Sequence, residues 1–231
     1  MPEKIFTIAI NDAFSLQEGC PMCYLKNKLE ESTLSYALGA ALMVQEKRIK
    51  MNEQGFCASH FERLFSMNNK LALGLILESH LDYLSDIMST PVSGDKKHLM
   101  SKKAHNSDLT DEMTRLSASC FICYKVDHTQ KRYASNVVYL WQNDPDFKNK
   151  LASQPFICLS HAALILEAGK RELKFDEYSL LCKALSILIG EYTRKLRADV
   201  TTFCTSFDHR NASKPLGDEK YSIDKAIKLL R

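Results

Sequence analysis

Eight residues of this chain have the types and the spacing of metal ligands. A CxxC pair followed by a CxxH pair occurs twice, with 33 residues between the pairs in the first copy (24–56) and 34 in the second (124–157). The candidates are Cys20, Cys23, Cys57 and His60 in the first copy, and Cys120, Cys123, Cys158 and His161 in the second. Three thiolates and one imidazole form a complete tetrahedral set for a structural zinc ion. The pattern therefore predicts two zinc ions per chain, each held by the four residues of one copy.

Three other uses of these residues stay open at this point. An iron–sulfur or other thiolate-bound redox centre accepts the same ligand types, because histidine can replace cysteine in such centres. The CxxC pairs could instead be dithiol–disulfide couples, although the two CxxH pairs then have no role. Buried cysteines without any metal are the simplest alternative.

Length and composition indicate an ordinary globular protein. The chain has 231 residues, of which 45% are hydrophobic and 26% charged, enough for one large domain or two small ones. A net charge of +3 is too small to require a nucleic acid or an acidic membrane as partner. No apolar run reaches the roughly 18 residues that span a bilayer, and the first residues lack the pattern of a signal peptide. We expect a cytoplasmic protein, in which CxxC pairs are more often metal or redox sites than disulfides.

Apolar residues recur at helical spacing over most of the chain, while glycine and proline number only eight and six. This predicts an all-α fold of two duplicated helical units, in domains 1–90 and 111–231 joined by a flexible linker at 91–110. Predicted helices cover 21–50, 57–87, 111–119, 124–142, 159–170, 178–203 and 222–231. The exception is 5–10, where a short extended strand or arm is expected.

Each ligand pair falls at the predicted start of a helix, where the helix dipole favours the excess negative charge of a metal bound to three thiolates. An unbroken helix of about 26 residues after the first CxxC pair would carry the chain some 39 Å away from it. We therefore expect a reversal between the CxxC and the CxxH of each copy, near Gly39 or Met43 in the first and at 143–145 in the second.

The remaining candidates are weaker. Arg48, Asn52 and Arg210 lie among polar residues that could bind an anionic ligand or simply hold the turns beside the metal sites. His80 has acidic neighbours and could act as a general base or weak ligand, but a structural histidine is the preferred interpretation. Cys182 is interpreted as a cysteine of the core. Cys204 and His209 are a weaker candidate for half of a third metal site.

A further set of residues resembles a known family pattern. It runs through Ile8–Phe14, Cys20–Cys23, Leu38–Gly39, Arg48–Ile49, Asn52–Cys57, His60 and Asn69–Gly74. The chain is similar along its whole length to a family of bacterial, mainly Firmicute, proteins known as a domain of unknown function. The second half follows the pattern less closely, because Pro155–Cys158 departs from the Gly-Phe-Cys form of the first copy. The resemblance implies no activity, and it supports treating the eight ligand candidates as one design.

These observations favour a non-enzymatic, zinc-stabilised helical protein that binds a partner protein or small ligand, because a site with four protein ligands leaves no open position for chemistry. The alternative is a metal-handling or thiol-redox sensor protein. An enzyme acting on an anionic substrate near Arg48 or Arg210 is a third hypothesis. The sequence contains no glycine-rich phosphate loop, nucleophile elbow or helical HExxH motif.

Overall fold

The computed structural model describes residues 4–89, 109–208 and 215–231, and within these ranges the secondary structure is entirely helical. The α-helices are α1 (Lys4–Ser15), α2 (Pro21–Ala37), α3 (Gln45–Gln54), α4 (Ala58–Ser66), α5 (Lys70–Ser89), α6 (Leu109–Ala118), α7 (Phe121–Asn143), α8 (Pro145–Ala152), α9 (Leu159–Glu172), α10 (Phe175–Thr205) and α11 (Ser222–Leu230). The predicted all-α class is confirmed. No helix in these ranges is both long and apolar enough to cross a lipid bilayer.

The expected strand or arm at 5–10 is wrong, since these residues lie in α1. The apolar residues that α1 buries, Ile10, Ala13 and Phe14, follow one another at steps of three and one. That spacing places them on one face of a helix, whereas a strand would turn adjacent residues to opposite faces. The six residues at 5–10, five of them apolar, were too short a window to show this.

The helices end at the places where reversals were predicted. After α2 ends at Ala37, a 3-10 turn over Ala40–Met43 leads into α3. In the second copy α7 ends at Asn143, and the Asp144 carboxylate accepts hydrogen bonds from the backbone N–H groups of Asp146 and Phe147 at the start of α8. Pro145 occupies the first helical position, where no N–H is needed.

The chain divides into two compact units. Unit 1 comprises residues 1–28 and 129–231, and unit 2 comprises residues 29–128. This division differs from the sequence-based domains 1–90 and 111–231, because it cuts through α2 and α7 rather than through the predicted linker. Most of that linker, residues 91–108, lies outside the described residues.

In unit 1, α1 packs on α8. The rings of Phe14 and Phe147, both fully buried, have centroids 4.9 Å apart. The Gln154 side-chain Nε2 donates to the Phe14 carbonyl at 2.6 Å, and the Gln17 Nε2 donates to the Ser153 hydroxyl at 3.3 Å. These contacts join the segment before α2 to the segment before α9.

In unit 2, the segment before α4 is joined to the start of α7 in a comparable way. The Phe121 N–H donates to the Gly55 carbonyl at 3.0 Å, and the Ser119 hydroxyl donates to the Gln54 carbonyl at 2.7 Å. The buried Phe56 ring lies 6.2 Å from that of Phe121, centroid to centroid. In each unit a helix that starts with CxxC is therefore held against a helix that starts with CxxH.

Candidate metal centres

The eight predicted ligands come together in two clusters, but not in the predicted pairs. Site 1 consists of Cys20, Cys23, Cys158 and His161, and site 2 of Cys57, His60, Cys120 and Cys123. Each site thus takes its CxxC from one sequence copy and its CxxH from the other. In each site the four candidate ligand atoms lie within 4.8 Å of one another, so each cluster could hold a metal ion.

The prediction that each copy closes its own site is wrong for a geometric reason. At 1.5 Å per residue, a helix of the length of α2 carries the chain about 26 Å from Cys20 and Cys23 before it ends. Residues that start different helices can meet only where those helix starts are packed together. Site 1 lies where the starts of α2 and α9 meet, entirely within unit 1, and site 2 where those of α4 and α7 meet, entirely within unit 2.

In site 1 the three sulfurs surround one nitrogen of the histidine ring. The His161 Nδ1 lies 3.0 Å from the Cys158 sulfur, 3.3 Å from the Cys23 sulfur and 3.7 Å from the Cys20 sulfur. The Cys23 and Cys158 sulfurs are 3.6 Å apart.

Site 2 repeats this arrangement. The His60 Nδ1 lies 3.1 Å from the Cys57 sulfur, 3.2 Å from the Cys120 sulfur and 3.4 Å from the Cys123 sulfur. The Cys57 and Cys123 sulfurs are 3.9 Å apart. In a regular tetrahedron with zinc bond lengths, the sulfurs would be about 3.8 Å apart and nitrogen and sulfur about 3.5 Å apart. The distances given above lie within about 0.5 Å of these values, so each cluster could hold a tetrahedrally coordinated metal ion.

In site 1, the ionisation of one sulfur opposes the ionisation of the others. Hydrogen bonds from the Cys20 and Cys23 thiols lower the pKa of Cys158 well below its usual range. The hydrogen bond with the Cys158 thiolate raises the pKa of Cys20, and burial and charge repulsion raise it further. Burial lowers the pKa of His161, but the Cys158 and Cys23 sulfurs stabilise the imidazolium and raise that pKa to about 9. Three thiolates so close together are stable only around a positive charge, which a divalent metal would supply.

In site 2, too, the ionisation of one sulfur opposes the ionisation of the others. Burial raises the pKa of Cys57, but hydrogen bonds from the Ser59 hydroxyl and the His60 backbone N–H outweigh it and lower that pKa to about 6. Burial and the neighbouring Cys120 raise the pKa of Cys123 to about 12. One sulfur ionises readily, and each further ionisation is opposed by the charge already present.

Site 2 also has a carboxylate behind its histidine. The Nε2 of His60 lies 2.7 Å from Oε1 of Glu30, and the other Glu30 oxygen is 2.6 Å from Nη1 of Arg63. Burial alone would raise the pKa of Glu30, but Arg63 and His60 hold it below its usual value. An ionised carboxylate on Nε2 fixes the tautomer in which Nδ1 faces the metal position, as second-shell acceptors do in known zinc sites.

All four ligand pairs lie at helix starts, as predicted. Cys57 and Cys158 are the N-cap residues of α4 and α9. The Cys20 carbonyl accepts the N–H of Tyr24 at 3.2 Å, and the Cys120 carbonyl accepts that of Tyr124 at 2.9 Å. The Cys120 sulfur also accepts the Cys123 N–H at 3.5 Å. The positive ends of four helix dipoles therefore face thiolate sulfurs.

The weaker candidates that lie in the described ranges do not join these centres. Arg48 is exposed on α3, while Asn52 is held between α3 and α5: its side-chain oxygen accepts from Ser79 and its carbonyl from the His80 ring. Anion binding at Arg48 and Asn52 remains a prediction. Arg210, the third residue of that group, and His209 lie outside the described residues.

His80 has a structural position. Its Nδ1 donates to the Asn52 carbonyl at 3.0 Å, and a Cβ added to Gly55 would come within 3.2 Å of its ring. Cys182 is half-buried beside Tyr178, and Cys204 is exposed on α10. Within the described ranges neither cysteine belongs to a group of metal-binding side chains.

Sequence analysis missed the residues that support the ligands. The hydroxyls of Ser59 and Ser160 lie 3.3 and 3.6 Å from the Cys57 and Cys158 sulfurs. The sequence carries a signal for these two, because both CxxH pairs read Cys-x-Ser-His. Glu30 gives almost none, since it is one of two adjacent acids on α2 and only the position of His60 distinguishes it from Glu31.

Comparison with known proteins gives the chain a family but no function. No curated protein and no solved structure shows a significant match. The model of a family of unknown function, DUF6062, matches residues 1–231. The chain therefore belongs to the DUF6062 family.

Proposed function

We propose that this protein is a zinc-stabilised helical binding protein that carries two structural zinc ions per chain. The observation that supports it most is the meeting of four soft donors in each unit, at separations that fit tetrahedral zinc. Four protein ligands saturate such an ion, so the metal holds helices together and does not perform chemistry. Structural zinc sites of this kind contribute on the order of 10 kcal/mol of apparent binding energy.

Elemental analysis of protein purified without added metal tests this proposal. We expect two zinc ions per chain, and a loss of helical circular dichroism when a strong chelator removes them. Cys23→Ser should lose the zinc of site 1 and unfold unit 1, while Cys182→Ser, on a cysteine outside both sites, should keep both ions. Iron with visible colour, or a Cys23→Ser variant that lost zinc and stayed folded, would contradict the proposal.

A metal-handling or thiol-redox sensor is the second candidate. It is favoured by the low pKa of the partly exposed Cys57, because a thiolate at neutral pH is the form that oxidants attack. Under this hypothesis mild peroxide releases zinc from site 2 before the protein unfolds. Retention of both ions against a chelator in the presence of peroxide would rule out this second function.

A further inference from the structure

Unit 1 contains a cavity of about 790 Å³ beside site 1. Its wall includes Cys20 and Cys23 of the metal cluster, together with residues of α10 and α11. The volume lies within the range of about 300–1,000 Å³ that is usual for small-molecule sites. A molecule in this cavity would lie against the sulfurs of site 1.

Aromatic rings form one part of the wall. The rings of Phe156 and Tyr192 are stacked, with centroids 4.6 Å apart and planes 18° apart, and Tyr24 contributes a third ring from α2. Phe156 is buried and Tyr192 half-buried. These rings offer a flat apolar surface to a planar group.

Cationic side chains form another part. Lys225 and Lys228 lie three positions apart on one face of α11, Arg231 follows the end of that helix, and Lys195 of α10 is a fourth cation of the wall. Lys228 pairs with Asp224 of its own helix at 2.6 Å. The acids of the wall are Glu18, Glu191 and Asp199, and across the described residues no ion pair joins them to Lys225, Lys228 or Arg231.

We propose that this cavity binds a small anionic molecule with a planar apolar part. The planar part packs on Phe156, Tyr192 and Tyr24, and the acidic group is held by Lys225, Lys228 and Arg231. The proposal gives a ligand class to the binding function proposed above and rests on it. The ligand proposal and the zinc proposal can fail separately, because zinc content is measured independently of ligand binding.

The dye 8-anilinonaphthalene-1-sulfonate is a suitable probe, since it joins aromatic rings to a sulfonate. With the full-length, zinc-loaded protein we expect saturable fluorescence enhancement at one site per chain. Lys225→Glu/Lys228→Glu should weaken this binding at least tenfold. Arg197→Glu, which changes an exposed cation of α10 outside the cavity wall, should leave it within twofold.

Zinc content and circular dichroism of each variant show whether the fold is intact. If the double charge reversal loses zinc or helical signal, the variant Lys225→Gln/Lys228→Gln replaces it. The cationic planar dye thioflavin T is the matched charge control and should bind more weakly than the sulfonate. Unchanged sulfonate binding in the lysine variants, no saturable binding at all, or tighter binding of thioflavin T would overturn the proposal.

A second, independent observation concerns the outer nitrogen of His161. Glu30, which accepts from His60 in site 2, follows Cys23 by seven positions, and Gln130 follows Cys123 by seven positions. Gln130 is only 4% exposed, and neither its amide oxygen nor its amide nitrogen has a hydrogen-bond partner. Gln130 and His161 belong to the same unit.

We infer that Gln130 is the positioning residue of site 1. Its amide oxygen accepts a hydrogen bond from the Nε2–H of His161 when the site holds its metal. A buried amide without partners is unfavourable, and this bond would satisfy its oxygen. The inference assumes a metal-loaded site 1, which elemental analysis establishes separately. Site 1 would then differ from site 2 in having a neutral acceptor in place of a carboxylate.

Gln130→Leu should weaken zinc binding at site 1 by about 10–100-fold, the usual effect of losing a second-shell partner, and leave site 2 unchanged. In nitrogen-15 spectra the His161 Nε2–H should exchange faster with water, while the His60 ring is unaffected. Gln130→Glu should restore both properties. If Gln130→Leu left the affinity and the exchange unchanged, or if Gln130→Glu behaved like Gln130→Leu, the inference would be wrong.

Discussion

At the scale of single residues, the two clusters show how a candidate ligand depends on neighbours outside the cluster. Oε1 of Glu30 accepts a hydrogen bond from Nε2 of His60, and the other carboxylate oxygen forms an ion pair with Arg63. The serines of the two CxxH pairs stabilise the adjacent thiolates through their hydroxyls. The ligand types alone predict a metal site, whereas these neighbours set its charge and the orientation of its imidazole.

Glu30→Ala should weaken zinc binding at site 2 by about 10–100-fold, because the His60 ring loses its orienting acceptor. Competition with a chromophoric chelator measures this loss. Glu31→Ala is the matched control, since Glu31 is an exposed acid on the same helix. Equal affinities of the two variants would mean that Glu30 does not support the site.

Gly55 is a position where the backbone requires glycine. Its φ of 57° and ψ of −156° lie in a region that is essentially closed to other residues, and the His80 ring is 3.2 Å from where a Cβ would stand. Gly55→Ala should therefore cost about 1–3 kcal/mol of unfolding free energy from backbone strain, measured by urea denaturation. Gly74→Ala, on the exposed side of α5 with nothing within 4 Å, should instead stabilise by about 0.5–1 kcal/mol.

At the scale of elements, spacing and breaker residues predicted nine of the eleven α-helices in the described ranges and missed α1 and α8. The breaks near Gly39 and at Asp144 were visible because glycine and an Asp-Pro pair have local conformational preferences. The segment 5–10 was misread because a short apolar run fits a strand or a helix equally well. Only the packing of Phe14 against Phe147 decides between them.

Asp144 is the residue that starts α8, and its role can be tested directly. Asp144→Ala removes the acceptor for two backbone N–H groups and should cost about 1 kcal/mol, as the loss of a helix N-cap usually does. Asp144→Asn keeps an acceptor oxygen and should lose much less. Thermal unfolding of the three proteins makes the comparison, and identical transitions for Ala and Asn would show that the cap contributes little.

At the scale of the whole molecule, the sequence identifies the eight residues that form the two clusters but not which of them come together. Every ligand pair was assigned to a helix start from its flanking residues, and the structure agrees. The pairing depends on which helix starts meet in three dimensions, and in unit 2 this is decided by contacts such as the Phe121 N–H with the Gly55 carbonyl. No spacing within one copy contains that information, so the order of the chain suggested the wrong pairs.

The crossed pairing makes a prediction that two double variants can decide. Cys20→Ser/Cys158→Ser removes two ligands from site 1 and should leave one zinc per chain, bound at site 2. Cys20→Ser/Cys57→Ser removes one ligand from each site and should leave neither ion able to withstand a chelator. If each copy closed its own site, the first variant would lose both ions and the second would keep one. Zinc per chain after a chelator challenge therefore distinguishes the two arrangements, because the same type and number of substitutions gives opposite results.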